Sequence, residues 1–341
     1  MEIERIEVVP YALPFREPYV TARGRLEQRA LVLVRLHAGG LVGLGETTAL
    51  SLRGGDAFTR IVDELRTAAH ALAAGGAHRS GAVSMQTLAA IEIALLDLKG
   101  KASRLPVWRV LGAAAARPIE CNATLTAGAP ADVARQAVTW AERGFRTFKL
   151  KVGMDGDLDQ LSAARAALPE DAVLRIDANG AWSVDEAAAR LAAMRPLELA
   201  EQPVATAPEL HELHGRTDVP LAADESVVTR DDALGLARAC RYATVKLAKV
   251  GGPSPAAEIA EELPVYLSSS LEGPVGIAAA AHVAQTIPDA GIAHGLATAL
   301  LFSETIGRGA ELEGPMLHVP DAPGLGVELD EDALARLALE D

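Results

Sequence analysis

The sequence predicts an α/β protein, in which a (β/α)8 barrel of the TIM type carries an α+β capping domain. The first observation behind this prediction is that five short apolar runs each end in a charged residue, and a helix-like segment follows each run. These residues are Lys151, Asp177, Glu201, Asp224 and Lys246, at intervals of 26, 24, 23 and 22 residues. Such intervals match one strand–loop–helix–loop unit. The second observation is that residues 1–50 lack this repeat and alternate like antiparallel strands.

We assign the capping domain to residues 1–115. Strand-like runs at residues 3–9, 30–36 and 41–46 predict an antiparallel meander, because glycines form a tight turn between the last two. The polar stretch 16–28 is rich in turn residues and arginine, which is typical of a lid or binding loop. A solvated hairpin connection is the alternative interpretation.

Two helices complete the capping domain, at residues 56–74 and 84–101. In the second helix, apolar residues recur at helical spacing and predict one buried face, with Glu92 and Asp97 among the polar positions. The apolar residues of this face are Leu88, Ile91, Ala94, Leu95 and Leu98. An alanine-rich segment at residues 113–118 marks the expected seam to the next domain.

Residues 116–310 are predicted to form the barrel. Its first strand covers about residues 119–124, the next five end at the charged residues, and the last two cover about 264–268 and 291–295. The tail, residues 311–341, is expected to pack back on the capping domain. A doubly wound open sheet is the alternative, but no glycine-rich phosphate-binding loop follows a strand.

Three carboxylates, Asp177, Glu201 and Asp224, stand at three successive strand ends. In a barrel these ends meet at one mouth, where barrel enzymes carry their chemistry. Oxygen ligands on a rigid scaffold suit a hard cation, Mg2+ or Mn2+. Each residue alone could be a helix N-cap or a surface acid, but three in successive units favour a metal site. Asn179 and Glu225 lie beside these ligands, and we expect Asn179 to reach the substrate.

Lysines flank the carboxylates on both sides. Lys149 and Lys151 are two residues apart on one strand, so both face the barrel interior. Burying a lysine is unfavourable without a partner, so lysines beside a metal point to function, as a general base. Lys246 lies across the mouth and suits a second acid–base group or an electrostatic clamp for an enolate. Lys249 either supports Lys246 or is solvated.

The substrate side of the site is less sharply defined. The serines Ser268, Ser269 and Ser270 precede a helix, and hydroxyls and amides at a helix start can bind a carboxylate, although an N-cap role is the alternative. His294, at the end of the last strand, is expected to face the mouth. Arg23, in the polar stretch, is a further candidate, whereas His282 is expected in the core. These groups indicate a small-molecule carboxylate as substrate.

The composition limits the partners of the chain. The 341 residues carry a formal net charge of −14, which disfavours nucleic acid or an anionic membrane as a partner. No run approaches the roughly 20 apolar residues of a membrane helix, and the first residues do not resemble a signal peptide. The two cysteines, Cys121 and Cys240, lack metal-binding spacing and are expected to be buried thiols. We therefore expect a cytoplasmic protein.

Five motifs together resemble the enolase superfamily, in its muconate lactonizing enzyme subgroup. They are Lys-x-Lys at 149–151, Asp-x-Asn at 177–179, Glu-Gln-Pro at 201–203, Asp-Glu-Ser at 224–226 and Lys-x-x-Lys-x-Gly-Gly at 246–252. The resemblance covers almost the whole chain. It implies removal of a proton α to a carboxylate, with Mg2+ on the three carboxylates, Lys151 as the base and Lys246 stabilising the enolate.

Within this subgroup, the segments 266–279 and 293–299 resemble the o-succinylbenzoate synthases. That resemblance implies syn dehydration of 2-succinyl-6-hydroxy-2,4-cyclohexadiene-1-carboxylate in menaquinone biosynthesis. The alternatives are an N-acylamino acid racemase, a dipeptide epimerase and a muconate cycloisomerase. Dipeptide epimerases typically carry an Asp-x-Asp pair where this chain has Gly295-Leu296-Ala297, which counts against that activity. The oligomeric state is left open, with a homo-oligomer as one expected state.

Overall fold

The computed structural model describes residues 2–50, 57–73 and 83–340. Three antiparallel strands and two long helices come first in the chain, and a curled parallel sheet with outer helices follows. The strands are β1 (Arg5–Thr21), β2 (Gly24–Ala38), β3 (Leu41–Thr47), β4 (Ile119–Glu120), β5 (Ala123–Leu125), β6 (Thr147–Lys151), β7 (Val173–Asp177), β8 (Leu199–Glu201), β9 (Leu221–Ala223), β10 (Tyr242–Val245), β11 (Val265–Leu267), β12 (Gly307–Arg308), β13 (Glu311–Glu313), β14 (Met316–His318) and β15 (Glu328–Leu329).

The helices are α1 (Phe58–Ala73), α2 (Met85–Ser103), α3 (Val107–Val110), α4 (Pro130–Glu142), α5 (Asp157–Ala167), α6 (Val184–Met194), α7 (Ala207–His214), α8 (Arg230–Leu236), α9 (Leu247–Val250), α10 (Pro253–Glu262), α11 (Pro274–Ala284) and α12 (Glu331–Leu337). Helices α1 and α2 lie where the periodicity predicts them, and a helix follows each of the strands β5 to β11. The predicted ends of the first helix, residues 56 and 74, lie outside the described residues. Helices α7 and α8 each begin at a threonine, Thr206 and Thr229, that forms a capping box.

The parallel sheet has the order β11-β10-β9-β8-β7-β6-β5, so consecutive strands are neighbours. Residues 294 and 295 lie between its two edges, because His294 bridges Cys121 before β5 and Gly295 bridges Ser268 after β11. The predicted eighth strand is thus reduced to two bridges. The α/β fold with a barrel and an N-terminal capping unit is confirmed.

Strand β2 is buried on both faces. Leu31 and Leu33 contribute to the large core that continues into the barrel, whereas Val32 and Val34 pack with residues of α1 and α2 such as Ile61. This alternation follows from the twofold periodicity of a strand. It fixes the capping sheet between its own helices and the barrel.

The polar stretch 16–28 is a β-ribbon rather than an irregular loop. After an irregularity between Pro14 and Tyr19, β1 and β2 pair again as far as Thr21 and Gly24. Arg23, at the tip, donates to the backbone carbonyl of Asn179 beyond β7. The alternative of a hairpin is correct, but its tip contacts the barrel rather than only solvent.

The buried face of α2 also differs from the prediction. Leu88 and Leu95 are 43% and 44% exposed, whereas Ala90 and Ala94 are fully buried. A Cβ atom on Gly45 of β3 would lie only 2.0 Å from the carbonyl oxygen of Ala90. Helix and strand are therefore in backbone contact, and only small residues allow this approach.

Asp97 of α2 is a buried junction between three parts of the chain. Its carboxylate accepts hydrogen bonds from the amide of Leu44 and the amide of Leu325, both at 2.7 Å. Lys101 donates to it as well, at 2.7 Å. Buried carboxylates need such partners, so Asp97 ties α2 to β3 and to the tail.

The tail, residues 311–341, contacts both parts of the molecule. β14 pairs with β13 and with β4 near the start of the barrel. The amide of Leu339 donates to the carbonyl of Pro10 in β1 at 2.9 Å. The last part of the tail therefore lies on the capping sheet, while the domain boundaries at residues 115 and 310 stay a prediction.

Two further expectations were tested by the structure. Cys121 and Cys240 are free buried thiols, as predicted, and burial raises the pKa of each to about 12. Within the described ranges, every helix is too short or too polar to cross a lipid bilayer.

Candidate active site

Three carboxylates meet at the carboxyl ends of neighbouring barrel strands. Asp177 ends β7, Glu201 ends β8 and Asp224 follows β9, and each is 0% exposed. One oxygen of each carboxylate lies within 4.8 Å of the others. Asp177 and Glu201 are direct partners in the parallel ladder, which explains why their side chains lie side by side.

Gln202 links the second carboxylate to the third. Its Oε1 accepts hydrogen bonds from the backbone amides of Asp224 at 2.9 Å and Ser226 at 3.2 Å. Its Nε2 donates to the Ser226 hydroxyl at 2.7 Å and to the Val204 carbonyl at 2.9 Å. The side chain thus replaces ladder hydrogen bonds where the strands end, and it holds the backbone of Asp224 in place.

Lys149 and Lys151 both project from β6 into the interior and are 4% and 3% exposed. Lys149 Nζ donates to Glu201 Oε2 at 2.7 Å and lies 3.6 Å from Asp177 Oδ2. Lys151 Nζ donates to Asp177 Oδ2 and, at 3.2 Å, to Asn179 Oδ1. Lys149 therefore lies among the carboxylates, whereas Lys151 also borders a pocket.

Lys246 and Lys249 approach Asp224 from the opposite side of the site. Lys246 follows β10, four strands from β6 in the sheet, and donates to Asp224 Oδ2. Lys249 is only 4% exposed and donates to Asp224 Oδ1 at 3.0 Å and to the Thr244 carbonyl at 2.9 Å. The alternative that Lys249 is solvated is wrong, since this ammonium anchors Asp224.

The donor set fits a hard divalent cation. The three groups that could bind a metal are all carboxylates, which is the ligand type that Mg2+ and Mn2+ prefer. Glu201 Oε1 is buried without a hydrogen-bond donor in the described part of the chain, and Lys246 Nζ lies 3.8 Å from it. Burial, then the Asp177 carboxylate, raise the pKa of Glu201, while Lys149 lowers it. A bound cation would stabilise this buried carboxylate in its ionised form.

A small pocket separates Lys151 from the β-ribbon of the capping domain. The barrel contributes Lys151, Asn179, Ser269, Ser270 and Leu271 to its wall, and the capping domain contributes Tyr19, Thr21, Arg29 and Leu50. The Arg29 side chain donates to the carbonyls of Ala49 and Ser270, both at 2.7 Å. Arg29 is 5% exposed, and its guanidinium places a positive group in this wall. This wall therefore suits an anionic substrate.

Sequence reasoning missed Arg29, although a signal for it exists. Arg29 precedes Leu31 by two residues and Leu33 by four in β2, and the side chains of these leucines pack toward the barrel. Twofold alternation places Arg29 on that same face. An arginine in an inward register of a strand was therefore a usable indication of a site residue.

The serines that follow β11 differ in their surroundings. Ser269 Oγ donates to Glu272 at 2.8 Å and accepts from the amides of Leu271 and Glu272, so its hydroxyl is used within the loop. Ser270 Oγ is buried in the pocket wall, with no hydrogen-bond partner in the ranges that the structure describes. Ser268 is buried beside Gly295 and does not line the pocket. Among the three serines, Ser270 is thus the one whose hydroxyl has no partner in the described residues.

The start of α11, which the sequence suggested as a carboxylate site, binds a carboxylate of the protein itself. Glu46 Oε2, from β3, accepts from the amide of Gly276 at 2.7 Å, and Tyr11 donates to Glu46 Oε1. Burial raises the pKa of Glu46 to about 7. This helix start therefore joins the capping domain to the barrel.

Arg23 and Asn179 are joined by hydrogen bonds. Arg23 Nε and Nη2 donate to the Asn179 carbonyl at 2.9 and 2.6 Å. Asn179 Nδ2 donates to Glu225 Oε1 at 3.1 Å, so its side chain connects Glu225 with Lys151. Asn179 lines the pocket, whereas Arg23 does not. The structure thus assigns Arg23 to positioning the ribbon over the barrel.

The two histidines lie away from this pocket. His294 borders a separate cavity of about 520 Å³ with Thr147 and Val173, which begin β6 and β7. It therefore lies toward the opposite end of the barrel, contrary to the expectation that it faces the substrate. Burial lowers the pKa of His294 to about 4. His282 is in the core, as expected, where it accepts from the Trp108 amide at 3.1 Å.

Two family models match the chain. The model described as "Enolase C-terminal domain-like" matches residues 132–333. The model described as "Mandelate racemase / muconate lactonizing enzyme, N-terminal domain" matches residues 3–112. Together they cover the barrel from α4 onward with most of the tail, and nearly all of the capping domain.

Relatives with three different activities are similar to the chain. Muconate cycloisomerase 1 of Pseudomonas putida is 32% identical over an alignment of 372 positions, which covers 98% of both chains. The o-succinylbenzoate synthase of Mycobacterium tuberculosis H37Rv is 41% identical over 204 residues, 56% of this chain and 61% of the relative. The crystal structure of a dipeptide epimerase from Enterococcus faecalis V583, complexed with Mg and the dipeptide L-Leu-L-Tyr, has a TM-score of 0.86 and 27% identity, covering 96% of this chain and 100% of that one.

Proposed function

Because the chain belongs to the enolase superfamily, in its muconate lactonizing enzyme subgroup, we propose that it is an Mg2+-dependent o-succinylbenzoate synthase. The reaction is the syn dehydration of 2-succinyl-6-hydroxy-2,4-cyclohexadiene-1-carboxylate, which gives an aromatic product in menaquinone biosynthesis. Its first step, removal of a proton α to a carboxylate, is the general chemistry of such sites, in which Mg2+ stabilises the enediolate.

Lys151 is the proposed base. Its Nζ borders the pocket and is held by Asp177 and Asn179, so the amine has a fixed direction toward a bound substrate. In a syn dehydration the proton and the hydroxyl leave from the same face of the ring. The ammonium formed by proton removal is therefore placed to return a proton to the departing hydroxyl, so that water leaves and no co-reactant is needed.

Lys246 is proposed to stabilise the negative charge that develops on the substrate. It approaches from the side of β10, across the site from β6, and its ammonium is 2% exposed. A fixed positive charge in a water-poor site stabilises a developing enolate more strongly than it would in water. Asp177, Glu201 and Asp224 would hold the Mg2+, which would supply further positive charge beside the substrate carboxylate.

The observation that carries this choice of substrate is the pair Arg29 and Ser270 in the pocket wall beside Lys151. The substrate has a succinyl arm that ends in a second carboxylate, and a guanidinium with a nearby hydroxyl is a fitting partner for such a group. In addition, a Cβ atom on Gly295 would lie 2.6 Å from Ser268 Oγ. The aspartate that a dipeptide ammonium would need there would have to displace Ser268.

Muconate cycloisomerase is the second candidate. The relative with that activity matches 98% of the chain, whereas the synthase matches 56%. Muconate also carries two carboxylates, so the same pocket wall would suit it.

A substrate panel distinguishes these activities. The purified enzyme with Mg2+ is assayed spectrophotometrically with the cyclohexadiene carboxylate and with cis,cis-muconate, and by NMR for α-proton exchange of N-acylamino acids in D2O. The proposal predicts that kcat/KM for aromatisation exceeds the other two by at least about 100-fold, or 2.7 kcal/mol in barrier height. Faster muconate turnover would identify a cycloisomerase, and exchange alone would identify a racemase.

A further inference from the structure

Tyr266 is a buried tyrosine beneath the carboxylates. It lies in β11, is 0% exposed, and its hydroxyl donates to Glu201 Oε2 at 2.6 Å. The Thr244 hydroxyl donates to the same phenol oxygen at 2.6 Å. Because Thr244 supplies the proton of that second bond, the phenol proton is directed toward Glu201.

The two oxygens of Glu201 therefore have different surroundings. Oε2 accepts from Tyr266 and, at 2.7 Å, from Lys149. Oε1 is buried with no donor among residues 2–50, 57–73 and 83–340. Two short bonds to one oxygen hold the carboxylate in place, so Oε1, which lies 3.8 Å from Lys246 Nζ, is the oxygen left for a cation.

Tyr266 is itself held by an arginine in the barrel interior. The Cζ atom of Arg175 lies 5.4 Å from the centre of the tyrosine ring, which is a favourable cation–π distance. Arg175 in turn donates to Glu198 and, at 2.6 Å, to the carbonyl of Ala293. The ring therefore has little freedom to rotate away from Glu201.

We propose that Tyr266 is a positioning residue of the metal site, which assigns Glu201 Oε1 as the oxygen that binds the divalent cation. This role rests on the metal dependence of the proposed function. It does not depend on which substrate the enzyme takes. Hydrogen-bond partners that orient a metal ligand typically change metal affinity by about 10- to 100-fold. Loss of the Tyr266 hydroxyl should therefore weaken cation binding directly and lower turnover as a consequence.

The test is Mn2+ binding to the wild type and to Tyr266→Phe, measured by the EPR signal of free Mn2+, with Mg2+ competition. The Kd for Mn2+ is expected to rise at least about 10-fold in the variant. The spectrum of bound Mn2+ should also change, because its ligand is no longer held in one orientation. Tyr11→Phe is the matched control: it removes another buried phenol that donates to a buried glutamate, Glu46, and should leave the Kd unchanged.

Thr244→Val is the second variant. It keeps the phenol but removes the hydroxyl that orients the phenol proton. Because Thr244 bonds Tyr266 and not the ligand itself, the Kd should rise less than in Tyr266→Phe, by about 2- to 5-fold. Thr244→Val tests the role of Tyr266 if Tyr266→Phe does not fold. A Kd within twofold of the wild type in Tyr266→Phe, or in Thr244→Val where the first variant is unfolded, overturns the proposal. An enzyme that binds Mn2+ as predicted but does not aromatise the cyclohexadiene would refute the proposed function alone.

Discussion

Glu46 is the buried carboxylate that joins the capping domain to the barrel, and its replacement by glutamine should change how stability depends on pH. Its neighbours are the Tyr11 hydroxyl, the amides of Gly273 and Gly276 and the carboxylate of Glu272. Burial is the largest influence, and it raises the pKa from 4.5 to about 7, against the hydrogen bonds that favour ionisation. The native state therefore binds a proton that the unfolded chain releases within this range. As the pH rises from 4.5 to 7, the free energy of unfolding falls.

The size of the effect follows from the two pKa values. The gap between 4.5 and about 7, at about 1.4 kcal/mol per unit, corresponds to about 3 kcal/mol. For a chain of this length the entropy of unfolding is roughly 0.7 kcal/mol per kelvin, so the matching change in Tm is about 4 °C. The glutamine of Glu46→Gln does not titrate, so the variant should lack this pH-dependent part of the free energy of unfolding. Its amide can still accept from Gly276 and donate to the Tyr11 oxygen.

The assay is scanning calorimetry of both proteins at pH 5, 6, 7 and 8. The Tm of the wild type minus that of Glu46→Gln should fall by about 4 °C between pH 5 and pH 8. Other titrating groups, such as His282, whose pKa burial lowers to about 4, act in both proteins and cancel in the difference. Parallel Tm curves across this range would refute the reasoning about Glu46.

Three further results are expected. Removal of divalent cations with EDTA should reduce turnover at least about 100-fold, and added Mg2+ should restore it, since a catalytic cation supplies several kcal/mol of transition-state stabilisation. Activity that survives dialysis against EDTA would contradict the metal site. Ser270→Ala should raise KM about 3- to 10-fold with little change in kcat, because one hydrogen bond to the substrate is lost. An unchanged KM would show that Ser270 does not bind the substrate. Gly295→Asp should lower the Tm by about 2–4 °C. Its Cβ atom would lie 2.6 Å from Ser268 Oγ, and overpacking of this kind costs about 1–3 kcal/mol. An unchanged Tm would show that the residues around Gly295 can move to make room.

The barrel and its carboxylates could be predicted because their signals are local. Each carboxylate ends or directly follows a short strand. The strands recur at nearly equal intervals, so a regular fold brings these carboxylates together. Asp177, Glu201 and Asp224 required no knowledge of how distant segments pack. The same holds for Lys149 and Lys151, whose spacing of two puts them on one face of β6.

Other features could not be predicted because they depend on distant contacts. The inner face of α2 is chosen by the close approach of Gly45 to Ala90, and hydrophobic periodicity does not register contacts between small residues. The ribbon 16–28 is polar because much of it is exposed, which sequence reasoning took as a sign of irregular backbone. The orientation of His294 could not be derived, since its strand consists of isolated bridges.

The central claim is that Lys151 removes the α-proton of the cyclohexadiene carboxylate. The most direct measurement is the rate of aromatisation by the wild type and by Lys151→Ala at saturating Mg2+, with Mn2+ affinity measured on both to show that the metal site is intact. The account predicts rapid aromatisation by the wild type and a loss of about 10²- to 10⁴-fold in kcat for the variant. A variant that keeps wild-type turnover, or a wild type with bound metal that does not aromatise this substrate, would contradict it.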